Sequence, residues 1–363
     1  MTGYAVPSPL LDAPGAVAAE GVDAGVAGHY GDPMREQRLL TEGLAAVDLS
    51  NRGVVTVTGP DRLSWLNSMT TQALTGLTPR VGTESLVLDP HGHVEHALHL
   101  VDDGTTTWIT VEPGTAPALV AWLERMRFML RVEVADVTDR YAVVGEPFGA
   151  VAAPGEPVVW VDPWPGVIDL TPSGRAGRIA AYGPVDGHPA QGRRWREAIV
   201  PREELATYID DRPLAGVLAA EALRVAAWRP RMGFETDHRT LVHEVDWLRS
   251  AVHLNKGCYR GQEAVARVHN LGKPPRRLVF LHLDGSGHVL PPRGAEVTVA
   301  GGGTGPLAGR AVGFVTSVAH HFETGPIALA LVKRSLPADA PLIVADGIGG
   351  PGIAASQEVI VAP

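Results

Sequence analysis

The chain of 363 residues holds a single cysteine, Cys258, and only three lysines, Lys256, Lys273 and Lys333. One cysteine excludes an intrachain disulfide and fits a reducing compartment. One thiol also cannot close a four-ligand metal site by itself, so any iron–sulfur cluster would have to be shared with a partner or an external thiol. Positive charge is scarce: the formal net charge of −9 argues against binding nucleic acid through phosphate neutralisation. Long hydrophobic runs are missing too. A membrane span needs about 20 apolar residues, and the best stretch, Leu214 to Trp228, is broken by Glu221 and Arg224. No basic residue precedes Arg35, whereas a secretory signal needs a positive start. These absences predict a cytoplasmic chain with neither nucleic acid nor membrane as partner.

What is present reads as an ordinary globular composition, with 45% hydrophobic and 20% charged residues, at a length that suggests two or three domains. Residues 1–28, rich in Ala, Gly and Pro, read as a disordered tail, with structure starting near His29. From Gly53 to Val137 the punctuation suggests one compact unit. Val54–Thr58 alternates as a strand, and Gly59-Pro60-Asp61 opens a helix striped by Leu63, Leu66 and Met69. Strands follow near 85–88, 94–101 and 106–111. Pro117–Leu130 reads as a second helix with Leu119, Trp122, Leu123 and Met126 on one face, and 131–137 alternates again. A second unit from about Tyr141 repeats the strand-to-turn entry in Ala142-Val143-Val144-Gly145-Glu146-Pro147, with strands near 158–161, 167–170 and 178–182 and a helix over 214–228. From Arg277 onward, short alternating runs such as 296–299 and 311–315 suggest a separate β-barrel or β-sandwich. Gly301-Gly302-Gly303 has no lysine or hydroxyl residue at phosphate-loop spacing.

The densest chemistry lies in Lys256-Gly257-Cys258-Tyr259-Arg260-Gly261-Gln262-Glu263. In an extended loop, residues two apart share a face, so Lys256 and Arg260 would both lie near the sulfur and favour its thiolate. Gln262 to Asn270 reads as a helix closed by Gly272, whose N-terminus would also favour a negative sulfur. Glu263 and Arg267 are four apart and pair on one face. A small buried hydrophobe is the competing reading of the cysteine. As a functional thiol it is open to three roles: nucleophile, metal or cluster ligand, and redox thiol.

That run resembles the signature of the YgfZ family of folate-binding proteins, which shares the fold of the glycine-cleavage T-protein, an aminomethyltransferase. The likeness extends to His29-Tyr30-Gly31, to Leu44 through Ser50, to Val57-Thr58-Gly59-Pro60-Asp61 with Leu66 and Thr71, to Ala222-Leu223-Arg224-Val225 and to Thr240 through Glu244. It implies an α+β protein. Two α/β units, about 53–137 and 141–275 within a core of 29–275, would enclose a tetrahydrofolate cavity, and a β-barrel would occupy 276–363. It further implies bound folate and a role in iron–sulfur protein assembly or repair, with the assembly machinery or its clients as partners.

Two positions depart from the T-protein. Its turn carries two adjacent acids where this chain has Glu95-His96, and its run similar to "KGDFIGRE" holds no cysteine where this chain has Cys258. The loss of the acid and gain of the thiol place the maintenance protein ahead of a one-carbon transferase using Glu95 or His96, and ahead of a non-catalytic interaction module. On the same resemblance Cys258 and Lys256 are the candidate reactive residues. Glu244 becomes a candidate for the donor edge of the pterin and Arg224 for the anionic tail. Tyr259, Gln262, Glu263 and Arg267 are further candidates for ligand contacts. The histidines His91, His93, His96 and His99 read as a polar turn and strand edge before they read as a metal site.

Overall fold

A computed structural model describes residues 7–147, 157–164, 186–191, 193–302 and 309–363. In chain order the elements are β1 (Val17–Ala18), β2 (Ala27–His29), α1 (Pro33–Thr41), β3 (Ala46–Asp48), β4 (Gly53–Thr58), α2 (Arg62–Met69), β5 (Gly82–Leu88), β6 (Val94–Asp102), β7 (Thr106–Val111), α3 (Ala116–Met126) and β8 (Glu133–Asp136). They continue with β9 (Tyr141–Glu146), β10 (Val158–Val161), β11 (Arg196–Pro201), α4 (Leu205–Ile209), β12 (Leu214–Ala215), α5 (Val217–Ala226), α6 (Leu248–Ala251) and α7 (Gln262–Leu271). The last six strands are β13 (Arg276–Leu283), β14 (Glu296–Val299), β15 (Gly313–His321), β16 (Gly325–Lys333), β17 (Leu342–Val344) and β18 (Ile353–Val359).

Three β-structures carry the fold. One five-stranded sheet runs β5-β6-β7-β4-β8 and a second runs β10-β11-β9-β3-β12, while β13 to β18 close a six-stranded barrel in the order β13-β16-β15-β14-β17-β18. The first sheet packs Val55, Val57, Leu98, Leu100 and Ile109 against Trp65 and Leu66 of α2 and Leu119, Trp122 and Leu123 of α3. The apolar stripes at spacings of three and four thus fall on the sheet, as an amphipathic helix requires. The barrel presents Leu278, Phe280, Leu329 and Leu331 outward to a shared core with Val225, Trp228, Trp247 and Tyr259. Along β13 the alternate residues Val279 and Leu281 fill its interior, the strand period of two at work.

Residues 7–28 are not the disordered tail expected of them. Ser8 caps a 3₁₀ turn at Pro9–Asp12, its N–H bonds the Gly25 carbonyl, and β1 pairs β2. Burial supplies the reason: Val26 and Ala27 lie in the core, an anchor that polar-rich tails lack. The helix expected over 214–228 begins only at Val217. Leu214 and Ala215 pair in parallel with Ala46 and Val47, and Gly216 lies so close to the Gly28 carbonyl that no Cβ fits. The helix expected to end at Leu130 ends at Met126, because Phe128 turns to a φ of +47° and Arg131 is held by Asp61 through its N–H at 2.9 Å and its guanidinium at 2.7 and 3.0 Å. The strands expected at 167–170 and 178–182, and Gly303, lie outside the described residues.

Candidate functional site

The cysteine loop rests on the turn between β5 and β6. Gly261, the N-cap of α7, has a φ of +84°, and a Cβ there would meet the Asp89 carbonyl at 2.6 Å; only glycine fits both demands. Gly92 faces it with a φ of +83° and no room for a Cβ beside Ala264. Tyr259 is buried in the core shared with the barrel, and burial pushes its phenol up to about 12. Cys258, one residue earlier, is free and exposed, so the buried-hydrophobe reading does not hold.

The two flanking cations are committed elsewhere, which corrects the picture of a sulfur between two positive charges. The Lys256 ammonium donates to the carbonyls of Asn67, of Thr70 at 2.6 Å and of Gln72 at 2.8 Å, and lies 5.2 Å from the centre of the Tyr259 ring. Burial lowers it to about 8, while three carbonyl oxygens favour its charged form. Arg260 pairs with Glu95 at 2.6 Å and lies over Trp122. Gln262 reaches back to the Lys256 carbonyl at 3.4 Å, bracketing the loop. Glu263 and Arg267 stand exposed on α7, with no ion pair between them.

A second constellation occupies the place where the two sheets, α5 and the segment after it meet. It is a cavity of ≈ 750 Å³ counted with its open mouth, walled among others by Arg52, Glu84, His99, Glu197, Arg231 and Trp247. Its interior is narrow, because charged side chains fill it in pairs. Glu197 accepts from Arg52 at 3.0 Å and lies 2.9 Å from His99. Burial raises that carboxyl, but Arg52 and His99 outweigh it and hold Glu197 well below the usual carboxylate range. The His99 ring stacks on Trp160, centroids 3.6 Å apart and planes within 3°. Glu84 accepts both terminal nitrogens of Arg229, at 2.8 and 3.1 Å. Burial also works against Glu221, and Arg224 and Arg231 overcome it, holding it at about 2. The Trp247 indole N–H is buried without an acceptor among the described residues.

Of the residues the sequence offers for catalysis or folate contact, only Arg224 lines this cavity. Its guanidinium is already held by Glu221 at 2.9 Å, Glu235 at 3.0 Å and Ser317 at 2.7 Å. Glu244 is fully buried against Arg276, with bonds of 3.1 and 2.7 Å, and is not in the cavity wall; the arginine takes the place foreseen for a pterin. Lys256, Cys258, Tyr259, Gln262, Glu263 and Arg267 form the separate loop and helix. Alternation along β6 sets Ala97 and His99 toward the cavity and His96 on the other face with Leu98 and Leu100, which pack on α2 and α3. The histidine expected in place of the T-protein acid therefore faces away from the cavity. His93 lies 2.8 Å from the Asp89 carboxylate, and among the described residues no three His, Cys, Asp or Glu side chains are gathered for a metal. The missed residues, Arg52, Glu84, Glu197 and Arg231 above all, sit singly in separate elements. The dense run Arg229-Pro230-Arg231 through Glu235 was their one local signal.

Comparison with known proteins bears on the same regions. Residues 12–145 match the GCVT N-terminal domain family. A chloroplastic protein of Arabidopsis thaliana, At1g60990, named only provisionally as a transferase, is 26% identical over 274 residues, covering 73% of this chain. The match spans 61% of that relative's length. The mitochondrial iron–sulfur cluster assembly factor IBA57 homologues of Neosartorya fischeri and Aspergillus fumigatus are 26% and 25% identical, each over 81% of this chain and 71% of the relative. The crystal structure of glycine cleavage system aminomethyltransferase T from Bartonella henselae superposes with a TM-score of 0.72 over 98% of this chain and 95% of that one, at 16% identity. The chain therefore has the aminomethyltransferase fold, and is similar to the GCVT N-terminal domain over residues 12–145 and, at low identity, to iron–sulfur cluster assembly factors.

Proposed function

We propose that this chain binds tetrahydrofolate or a one-carbon derivative in the central cavity and serves the assembly or repair of iron–sulfur proteins, with Cys258 as the thiol that meets a client or its cluster. The observation that carries the folate half is the wall around Glu197: a buried carboxylate beside a flat aromatic stack of His99 on Trp160. A pterin presents paired N–H donors to such a carboxylate and a ring face to such a stack. The Trp247 N–H, without an acceptor among the described residues, offers a donor to the ring's acceptors, and Arg193 and Arg231 in the wall suit a carboxylate tail. When bound, the folate supplies a reduced pterin able to carry a one-carbon unit. The chain's own residues orient the ring and exclude water from it.

The iron–sulfur half is supported by the IBA57 homologues matched over most of this chain and by an exposed free thiol at the tip of a loop fixed on both sides. A transferase using His96 gains no support, since that side chain faces away from the cavity. The reducing compartment read from the single cysteine remains part of this reading.

Calorimetric titration with tetrahydrofolate and 5-formyltetrahydrofolate tests it. Saturable binding is expected for the wild type and for Cys258→Ala, with Glu197→Gln weakened by about tenfold, the loss expected for one charge-assisted contact. Absence of binding by the wild type would overturn the folate reading in favour of an interaction module. In cells, a fully active Cys258→Ala variant would remove the thiol from the mechanism.

A further inference from the structure

Arg231 holds more carboxylate than one guanidinium needs. Its Nε bonds Glu112 at 2.9 Å, Nη1 lies 3.2 Å from Glu221, and Nη1 and Nη2 together clasp Asp23 at 3.0 and 2.6 Å. Five N–H donors match two carboxylates in fork geometry; the third is surplus. Burial works against the Arg231 cation, and Glu112, Glu221 and Asp23 together hold its charge in place.

The three acids differ in what supports them. Glu112 follows the end of β7 and Glu221 lies within α5. Asp23 ends a three-residue 3₁₀ turn, Gly21–Asp23, on the surface segment between β1 and β2. Gly21 and Gly25 flank it with φ of +65° and +99°, and the residues around it are mostly exposed. Its side chain turns inward to the cavity wall, where it also accepts from Asn51 at 3.5 Å. Withdrawing it breaks no sheet ladder and leaves Arg231 paired.

Building on the folate reading, we infer that Asp23 is a resident carboxylate that occupies the cavity's Arg231 until the carboxylate of a ligand's glutamyl tail takes its place. The ligand class follows: an anion whose carboxylate lies at the end of a chain long enough to reach Arg231. The turn 20–24, outside the β1–β2 pairing, then acts as a strap that the tail releases. No bond is made or broken; one ion pair exchanges for another.

The test is calorimetric, on the full chain and on Asp23→Asn, with 5-formyltetrahydrofolate and with 6-methyltetrahydropterin, which has the reduced ring and no tail. The expected result is an affinity about tenfold higher in Asp23→Asn for the tailed ligand, the size of one competing ion pair, with the ring-only ligand unchanged. Asp23→Ser serves as a second variant, with melting temperatures as a control for folding. Hydrogen exchange supplies an independent readout in the wild type, where saturating tailed ligand should speed exchange of the amides of residues 20–24. If wild type and variant bind the tailed ligand equally, or if both ligands weaken together, Asp23 is a structural clasp and the inference is overturned. If the wild type binds neither ligand, the folate reading fails and this inference falls with it.

Discussion

Lys256 carries three N–H donors and meets three carbonyl oxygens, two of them in the loop that follows α2. That match makes it a fastening for the cysteine loop and leaves no donor for the sulfur. The distinction is measurable because Cys258 is the chain's one thiol, so alkylation by iodoacetamide reports it alone. In Lys256→Met the three carbonyls lose a charged partner, and stability in urea should drop by about 2–4 kcal/mol. The loop is freed, so alkylation should be faster, with its pH midpoint where the wild type has it. A midpoint displaced upward by about one unit, the size of a lost neighbouring charge, would restore the ammonium as an activator of the thiolate. The sequence showed which residues form this loop. It did not show that Arg260 would be drawn to Glu95, because that partner lies 165 positions away.

At the scale of elements, the glycines that shape the first sheet separate into those that need space and those that need only a rare backbone angle. Gly59 and Gly104 share a φ of +103°, but a Cβ on Gly59 would collide with the Arg131 carbonyl whereas one on Gly104 meets open space. Gly104→Ala should therefore cost about 1–2 kcal/mol from the backbone alone, and Gly59→Ala roughly 2–3 kcal/mol beyond that, from displacing the strand that β4 pairs with. Equal losses in denaturant unfolding would refute the close approach. Strands β7, β10 and β14 were legible to the residue, because alternation of β-branched side chains has a period no helix imitates. The ends of α3 and α5 were not. Propensity continues both helices, and only the turn at Phe128 with the grip of Asp61 on Arg131 and the pairing of 214–215 with β3 draw those residues out.

Across the whole molecule, buried histidines and buried ion pairs set the response to acid. Burial lowers His188 to about 4, helped by Arg249, and lowers His243 to about 4 as well. Between about 6.5 and 4 the unfolded chain therefore binds protons that the folded chain refuses, so stability rises with pH across that window and is lost on acidification. Glu221, held at about 2, adds stability that is present above its ordinary value and declines only below it. The melting temperature should thus fall by several degrees from pH 7 to pH 5, and His188→Asn should flatten the fall. A melting temperature that stays level or rises over that interval would contradict neutral burial of both rings.

By itself the sequence determined the class and order of the β-rich units, the helix after the cysteine and the glycine that caps it, because each rests on local periodicity or on a backbone angle that only one residue type tolerates. The tertiary structure alone decided the cavity. Its walls come from Asp23, Arg52, Glu84, Glu197 and Arg231, none adjacent to another in the chain. Each reads locally as an ordinary surface charge, and they become a site only when the two sheets and α5 close around them and burial forces the charges into pairs.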